Sequence, residues 1–381
     1  MKKILIIFGT RPEAIKMAPL IHEFKNYKSI FNVKVCVTAQ HRGMLDQVMS
    51  LFDIVPDYDL DIMSSNQDLY KLTSRMLVKI KPVLDEFLPD LVIVHGDTST
   101  CFVGSLAAYY QKIPIAHIEA GLRTWDLFSP WPEEGNRQLV KVLTSLHFAP
   151  TSGNMKNLIN EGVKESSIFV TGNTVIDALK LILNNIKNDK DLELKIKKNI
   201  INSGFFDIDS KFILVTGHRR ENFGKGFLEI CEALKKIAEN NPNIKILYPV
   251  HLNPNVKKPV HAILENIKNV VLVEPFQYAE FVYLMSRAYL ILTDSGGIQE
   301  EAPSIGKPVL VMRETTERPE ALKSGTIKLV GSDKTLIVKE VQALLDDTKL
   351  YNKISKSSNP YGTGKSSKKI IEIIKSKLYE S

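Results

Sequence analysis

Short apolar runs bounded by turn residues recur at Ile4–Phe8, Val33–Thr38, Leu91–His95, Pro114–Ile118 and Leu146–Ala149, each followed by room for a helix. Runs of this length and rhythm predict buried strands joined by helical crossovers, hence a doubly wound parallel sheet with helices on both faces. The rhythm restarts with Phe212–Thr216, Ile244–Pro249, Val270–Val273, Tyr289–Thr293, Pro308–Met312 and Thr326–Val330. The pattern predicts an α/β chain of two facing doubly wound parallel-sheet domains. Ligands of such sheets bind at the carboxyl ends of the strands, which places the expected active site in the interdomain cleft.

A strand-like Ile168–Thr171 followed by a helix starting at Thr174-Val175-Ile176 sets the expected domains at 1–172 and 173–364. Asn184–Asn202, rich in Lys, Asn and Asp with Ile and Leu at helical spacing, reads as one solvated helix. Ser366–Leu378 sets Ile370, Ile371, Ile373, Ile374 and Leu378 among lysines. This amphipathic pattern predicts a C-terminal helix within 365–381 that packs back on the first domain.

Composition narrows the class. With 381 residues, 44% hydrophobic and 24% charged, the chain can bury two ordinary cores, and its usage is that of a globular protein. No apolar run approaches the roughly 18 residues of a spanning helix. Ile4–Phe8 is too short for a signal peptide and leads into Gly9-Thr10-Arg11-Pro12, so a cytoplasmic protein is expected. Cys36, Cys101 and Cys231 form no CxxC pair, which argues against a disulfide framework or a zinc site, and no metal is expected. The net charge of +7 is spread among acids without a basic stripe, excluding nucleic acid as the expected partner and suiting a small anionic substrate.

The unusual residue clusters follow predicted strands. In Gly9-Thr10-Arg11-Pro12-Glu13-Ala14-Ile15-Lys16, Thr10 and Glu13 have capping-box spacing and Pro12 suits a first helical turn. Arg11 and Lys16 are cations beside a positive helix start and predict a phosphate or carboxylate there. In His95-Gly96-Asp97-Thr98, Asp97 is either an acid–base group or the cap of the next helix. Glu119 stands near the cleft with Arg123 as its expected partner, and Ser129-Pro130-Trp131-Pro132-Glu133 adds a third acidic site. Three carboxylate sites suggest acid–base work, although each alone also fits a cap or an ion pair.

In the second half, Gly217-His218-Arg219-Arg220 places an imidazole and two guanidinium groups where they could bind a diphosphate. Asp294-Ser295-Gly296-Gly297 is a strand-to-helix turn whose backbone amides could approach phosphate oxygens. Glu301 suits ribose hydroxyls, with Arg313 and Arg318 downstream. The GxGxxG fingerprint is missing from both halves, so a nicotinamide cofactor is not expected.

These segments together resemble the non-hydrolysing UDP-N-acetylglucosamine 2-epimerases, from Lys3 to about Gly331. The resemblance rests on GTRPEAIK (9–16), HGDT (95–98), EAGLRT (119–124), SPWPEE (129–134), HRREN (218–222), DSGGIQEE (294–301) and TTERPE (315–320). It implies a glycosyltransferase-B-like architecture and interconversion of UDP-GlcNAc and UDP-ManNAc at carbon 2. The implied route eliminates UDP to 2-acetamidoglucal and adds it back, without a cofactor, and supplies a cell-surface polysaccharide precursor.

By the same resemblance, Asp97, Glu119, Glu133 and His218 match catalytic positions. Arg11, Lys16, Phe276, Phe281, Ser295, Gly296, Gly297, Glu301 and Arg318 match substrate contacts, together with Asp97, Glu119 and His218. Many relatives have Gln where this chain has Phe276, with Gln277 next. Gln40, Glu133, Arg219 and His251 resemble a neighbouring allosteric UDP-GlcNAc site, in which Gly43 and Asn66 replace longer polar residues. A homodimer is implied. A hydrolysing epimerase, a sugar transferase and a non-catalytic sensor are the competing readings; the first loop speaks against the first and the three acidic sites against the others.

Overall fold

The apolar runs become the central strands of two parallel sheets. In chain order these are β1 (Lys2–Phe8), β2 (Phe31–Val37), β3 (Tyr58–Asp59), β4 (Leu91–His95), β5 (Ile115–Ile118), β6 (Leu146–Ala149) and β7 (Ile168–Val170). The second set is β8 (Phe212–Thr216), β9 (Lys245–Pro249), β10 (Val270–Val273), β11 (Leu290–Thr293), β12 (Val309–Val311) and β13 (Ile327–Leu329). The computed structural model describes residues 1–39, 42–63 and 68–379. It divides into one unit of Met1–Ala178 with Tyr361–Ser381 and a second of Leu179–Pro360.

The first unit holds the sheet β3-β2-β1-β4-β5-β6-β7 and the second the sheet β10-β9-β8-β11-β12-β13. Ile4 of β1 stands beside Val33 of β2 and Leu91 of β4, and Leu214 of β8 lies between Leu247 of β9 and Ile291 of β11. Strand order therefore reverses at β1 and again at β8. Loops leaving the carboxyl ends there run to opposite faces and open a crevice. This favours the segments after β1, β4, β8 and β11, which carry Thr10 to Lys16, Asp97, His218 and Ser295.

Each sheet is sealed by its own apolar layer. Leu5, Ile7, Val92 and Val94 pack with Leu72, Met76, Ile80 and Leu84 of the Leu69–Phe87 helix. Ile213, Val215, Leu290 and Leu292 pack with Phe227, Ile230 and Leu234 of the Lys225–Asn240 helix. Full burial of each such side chain contributes about 1.5–3 kcal/mol. The chemistry is thereby left to the strand ends.

Three features depart from the sequence expectation. β3 pairs only Tyr58 and Asp59 with Cys36 and Val37, too short to leave an apolar run. The single helix expected over Asn184–Asn202 is two, Thr174–Asn188 and Lys190–Asn202. The Asp189 carboxylate accepts the amides of Asp191 and Leu192 at 3.0 Å and starts the second as an N-cap. The division into units falls after Ala178, inside the Thr174–Asn188 helix.

The chain rejoins the first unit through Tyr361 and Gly362. Gly172 has φ 89°, and a Cβ on it would lie 2.7 Å from Ser366 Oγ and 3.0 Å from the Tyr361 carbonyl oxygen. Glycine is required there on both counts. The Asn173 amide donates to the Tyr361 carbonyl at 2.8 Å. The Ser366–Tyr379 helix then buries Ile370, Ile371 and Ile374 and lies against the Arg11–Phe24 helix. Asp177 accepts the Ser366 and Ser367 amides at 3.2 and 2.8 Å, and the Tyr379 hydroxyl donates to the Ile30 carbonyl at 2.8 Å. Among the described residues, no helix is long and apolar enough to cross a membrane.

Candidate active site

The segment after β1 turns directly into the Arg11–Phe24 helix. The Glu13 carboxylate accepts the Gly9 and Thr10 amides at 3.1 and 2.8 Å and the Thr98 hydroxyl at 2.6 Å, so the expected capping box forms. Glu13 is buried, and burial raises its carboxyl to about 6 despite those donors. Arg11, at the first helical position, stays partly exposed. Lys16, one turn on, pairs with the Glu119 carboxylate, so the anion beside this lysine is a side chain of the protein itself.

Glu119 follows β5 directly, in the left-handed region at φ 66°. A non-glycine residue held there costs on the order of 1 kcal/mol, a form of strain that gathers at functional sites. Its side chain is 7% exposed. Asn173 Nδ2 donates to Oε2 at 2.8 Å. Burial alone would raise the Glu119 carboxyl. The Lys16 charge and the donors from Lys16 and Asn173 overcome it and bring the group well below the usual carboxylate range.

The His95 imidazole adds to that lowering only when it is itself protonated. Burial pushes His95 and His117 down to about 4 and His147 to about 3, so all three are neutral near pH 7. His95 Nε2 lies 3.9 Å from Glu119 Oε2, and neither of its ring nitrogens has a hydrogen-bond partner. His117 Nε2 meets the Gly96 carbonyl at 2.7 Å. Arg123, expected beside Glu119, is instead committed to Glu161, with Nε and Nη2 at 3.0 and 2.7 Å from Oε2. That pair fastens the loop after β5 to the segment before β7.

Asp97 is not the cap of the next helix. Thr98 fills that place, its hydroxyl accepting the Cys101 amide at 3.1 Å. Asp97 Oδ2 receives Arg137 Nε and Nη2 at 2.9 and 2.6 Å, while Asn136 Nδ2 donates to the Asp97 carbonyl at 2.8 Å. Arg137 also pairs with Glu134, whose side chain is fully buried and accepts the Thr124 amide at 3.0 Å. Burial would raise the Glu134 carboxyl, but its donors hold it below the usual range. Glu133 opens the same helix, and its Oε2 is buried without a hydrogen-bond partner. Gly96 bridges Asp97 to Glu119: a Cβ on it would lie 3.9 Å from Glu119 Oε1.

In the second unit the loop after β8 is organised by a carboxylate after β11. Asp294, wholly buried, accepts the His218 and Arg219 amides on Oδ2 at 2.8 Å each. The His218 ring stacks on His251 with centroids 5.3 Å apart and planes at 18°. Burial lowers the His218 imidazole, against the pull of Asp294. Arg219 Nη2 lies 3.9 Å from Glu317 Oε1, with its own Nε unpartnered. Gln40 and Asn66, two of the positions compared with the allosteric site, lie outside the described residues.

The turn Ser295-Gly296-Gly297 is narrow for a steric reason. A Cβ on Gly296 would lie 2.7 Å from Arg318 Nη1, and Arg318 is fixed by Glu300 at 2.7 Å and Glu317 at 3.1 Å. The Ser295 amide donates to Thr293 Oγ1 at 2.9 Å, and Gly297 caps the Ile298–Ser304 helix. Glu301 is 7% exposed and accepts the Tyr278 hydroxyl at 2.6 Å. Phe276 and Phe281 flank this tyrosine in sequence, both half-buried. Arg313 is occupied by Glu221 and Glu317 at 2.7 and 2.5 Å, so it ties the segment after β12 to the loop after β8.

Sequence reasoning passed over Asn173, Arg137, Asp294 and Tyr278 as site residues. Arg137 had a signal, since it falls four residues after Glu133 on one helix face. Asp294 had another, a carboxylate directly after a strand. Asn173 acts across a long sequence separation and carries none, while Tyr278 lies within the Phe276–Phe281 segment that the resemblance assigns to the base.

Two doubly wound parallel sheets in one chain, one with carboxylates at its strand ends and the other with a glycine turn at a helix start, place the protein in the glycosyltransferase-B-like α/β class. The family described as UDP-N-acetylglucosamine 2-epimerase matches residues 23–375. The chain belongs to that family, a family of isomerases. It is 60% identical over 381 residues to a UDP-N-acetylglucosamine 2-epimerase of Campylobacter jejuni, covering 100% of this chain and 99% of the relative. The corresponding Escherichia coli K12 protein is 57% identical over 373 residues, with 98% of each chain covered. The crystal structure of UDP-GlcNAc 2-epimerase from Neisseria meningitidis bound to UDP-GlcNAc superposes with a TM-score of 0.89 at 51% identity, covering 98% of this chain and 99% of that one.

Proposed function

We propose that the protein interconverts UDP-GlcNAc and UDP-ManNAc without hydrolysis, by eliminating UDP and adding it back. In the first step a carboxylate takes the proton from carbon 2 of the sugar. The C–H electron pair forms the carbon 1–carbon 2 double bond of 2-acetamidoglucal, and the carbon 1–oxygen pair leaves with UDP. In the return step a proton reaches carbon 2 on the opposite face and UDP re-adds at carbon 1. The cycle is redox-neutral and calls for a base, an acid and a cradle for the departing diphosphate.

One observation carries this reading: Glu119 is buried, ionised by Lys16 and held in a strained backbone state, one glycine away from Asp97. A non-catalytic binder of UDP-sugars has no use for that arrangement. We assign acid–base work to Asp97, Glu119 and Glu133, substrate contacts to Arg11 and Lys16, and His218 to the diphosphate. Ser295, Gly296 and Gly297 cradle the diphosphate, Glu301 takes the ribose, Phe276–Phe281 the base, and Arg318, beside Gly296, makes a further substrate contact. The product would feed a cell-surface polysaccharide, in a cytoplasmic homodimer.

Incubation with UDP-GlcNAc in heavy water, followed by NMR, tests the route. Deuterium entering carbon 2 as UDP-ManNAc forms is the expected result. Free ManNAc as the main product would mean hydrolysis, and an unchanged carbon 2 would reject the route altogether.

A further inference from the structure

We propose that Asp294 is a positioning residue for His218, its Oδ1 taking the Nδ1 proton of the imidazole so that Nε2 faces the departing diphosphate. The proposal rests on the role given to His218 above.

The carboxylate is anchored before it meets the ring. The Asp294 amide donates to the Thr216 carbonyl at 3.2 Å, and the hydroxyls of Thr216 and Thr293 meet at 2.7 Å. Thus the ends of β8 and β11 are tied together immediately before the loop that carries His218. With Oδ2 filled by the His218 and Arg219 amides, Oδ1 remains buried without a hydrogen-bond partner. It lies 3.6 Å from His218 Nδ1. Leaving a buried carboxylate oxygen unpaired is costly, and a small rotation of the imidazole would pair it.

The surroundings make that contact matter. The charged and titratable groups acting on His218 are Asp294, its ring neighbour His251 and the adjacent Arg219. Asp294 alone among them favours the protonated ring. Stacking on His251 fixes the ring plane, and a hydrogen bond from Nδ1 fixes which edge faces outward. When the ring takes a second proton, the state Asp294 favours, Nε2–H becomes a preorganised donor at the point where negative charge develops as UDP leaves. An imidazole oriented by a buried carboxylate is a recurrent arrangement in catalysis.

The test has two arms. In the full-length protein with 15N-labelled histidine, at a pH where the ring is neutral, His218 should show the Nδ1–H tautomer, its signal assigned by loss in His218→Asn. An Nε2–H tautomer would overturn the contact, and this arm needs no Asp294 variant to fold. In the second arm, Asp294→Asn should lower kcat about 100-fold with KM for UDP-GlcNAc within about threefold. In a His218→Asn background the same change should add less than about threefold, since a residue acting through another has little left to do once that partner is gone. An equal loss in both backgrounds would make Asp294 a scaffold residue and overturn the proposal. His218→Asn at the parent rate would instead remove the role given to His218, while the tautomer still reads the contact.

Discussion

The Arg137 guanidinium closes on a single oxygen of Asp97, with Nε at 2.9 Å and Nη2 at 2.6 Å, and turns its other edge to the buried Glu134 at 3.0 Å. One residue thus fixes a proposed acid–base group and neutralises a carboxylate with no access to water. Arg137→Met should lower turnover about 100-fold, the scale on which misplacing a reacting group by about 1 Å acts. UDP affinity by calorimetry should stay within about threefold. Stranding Glu134 should also cost about 3 kcal/mol, read from the denaturant midpoint. Asp97→Asn should reproduce the kinetic loss without the stability loss. A fall in UDP affinity as large as the fall in rate would make Asp97 a binding residue.

Glu13 gives a pH signature in folding. Its carboxyl titrates near 4.5 in the unfolded chain and at about 6 in the folded one. Between those values the folded state holds more protons, so stability must fall as pH rises from about 4.5 to about 6, by about 2 kcal/mol in all. Glu13→Gln keeps a capping-box side chain but does not titrate. Urea titrations of parent and variant at pH 4.5 and 7 should show the variant gaining relative to the parent by that amount at the higher pH. Equal differences at the two values would refute the assignment.

The glycine turn can be tested by separating folding from binding. Gly296→Ala drives a Cβ to 2.9 Å from Arg318 Cζ, on a guanidinium that cannot retreat, and should cost about 1–3 kcal/mol. Gly297 has helical φ −63°, and the nearest atom to an added Cβ is Glu301 Oε2 at 3.8 Å, so Gly297→Ala should fold at least as stably as the parent. Both should weaken UDP binding about tenfold or more if the backbone amides cradle the diphosphate. Gly297→Ala binding UDP at parental affinity would show that they do not.

The two sheets and the clustering of unusual residues at strand ends were legible because both follow from local patterns: apolar runs for strands, turn chemistry for loops. Partnerships were not. Beside a positive helix start, Lys16 calls for an anion, and it meets Glu119 across 103 residues. Proximity in sequence pairs Arg123 with Glu119, but the fold after β5 carries it to Glu161. Asp97 fits two roles in the sequence, and the cap is supplied by Thr98. Short elements such as β3 and breaks such as Asp189 depend on one or two residues, below what periodicity resolves.

The return of the chain to its first unit has a consequence for synthesis. The Ser366–Tyr379 helix covers the Arg11–Phe24 helix, and Asp177 caps it, yet Leu179–Pro360 is translated between them. At roughly 5–20 residues per second, some 10–40 s pass before the last helix leaves the ribosome. For that interval the outer flank of the Arg11–Phe24 helix, one turn from Lys16, has no cover of its own. The nascent first unit is therefore completed only once Tyr361 to Tyr379 have been made, after the whole of the second unit.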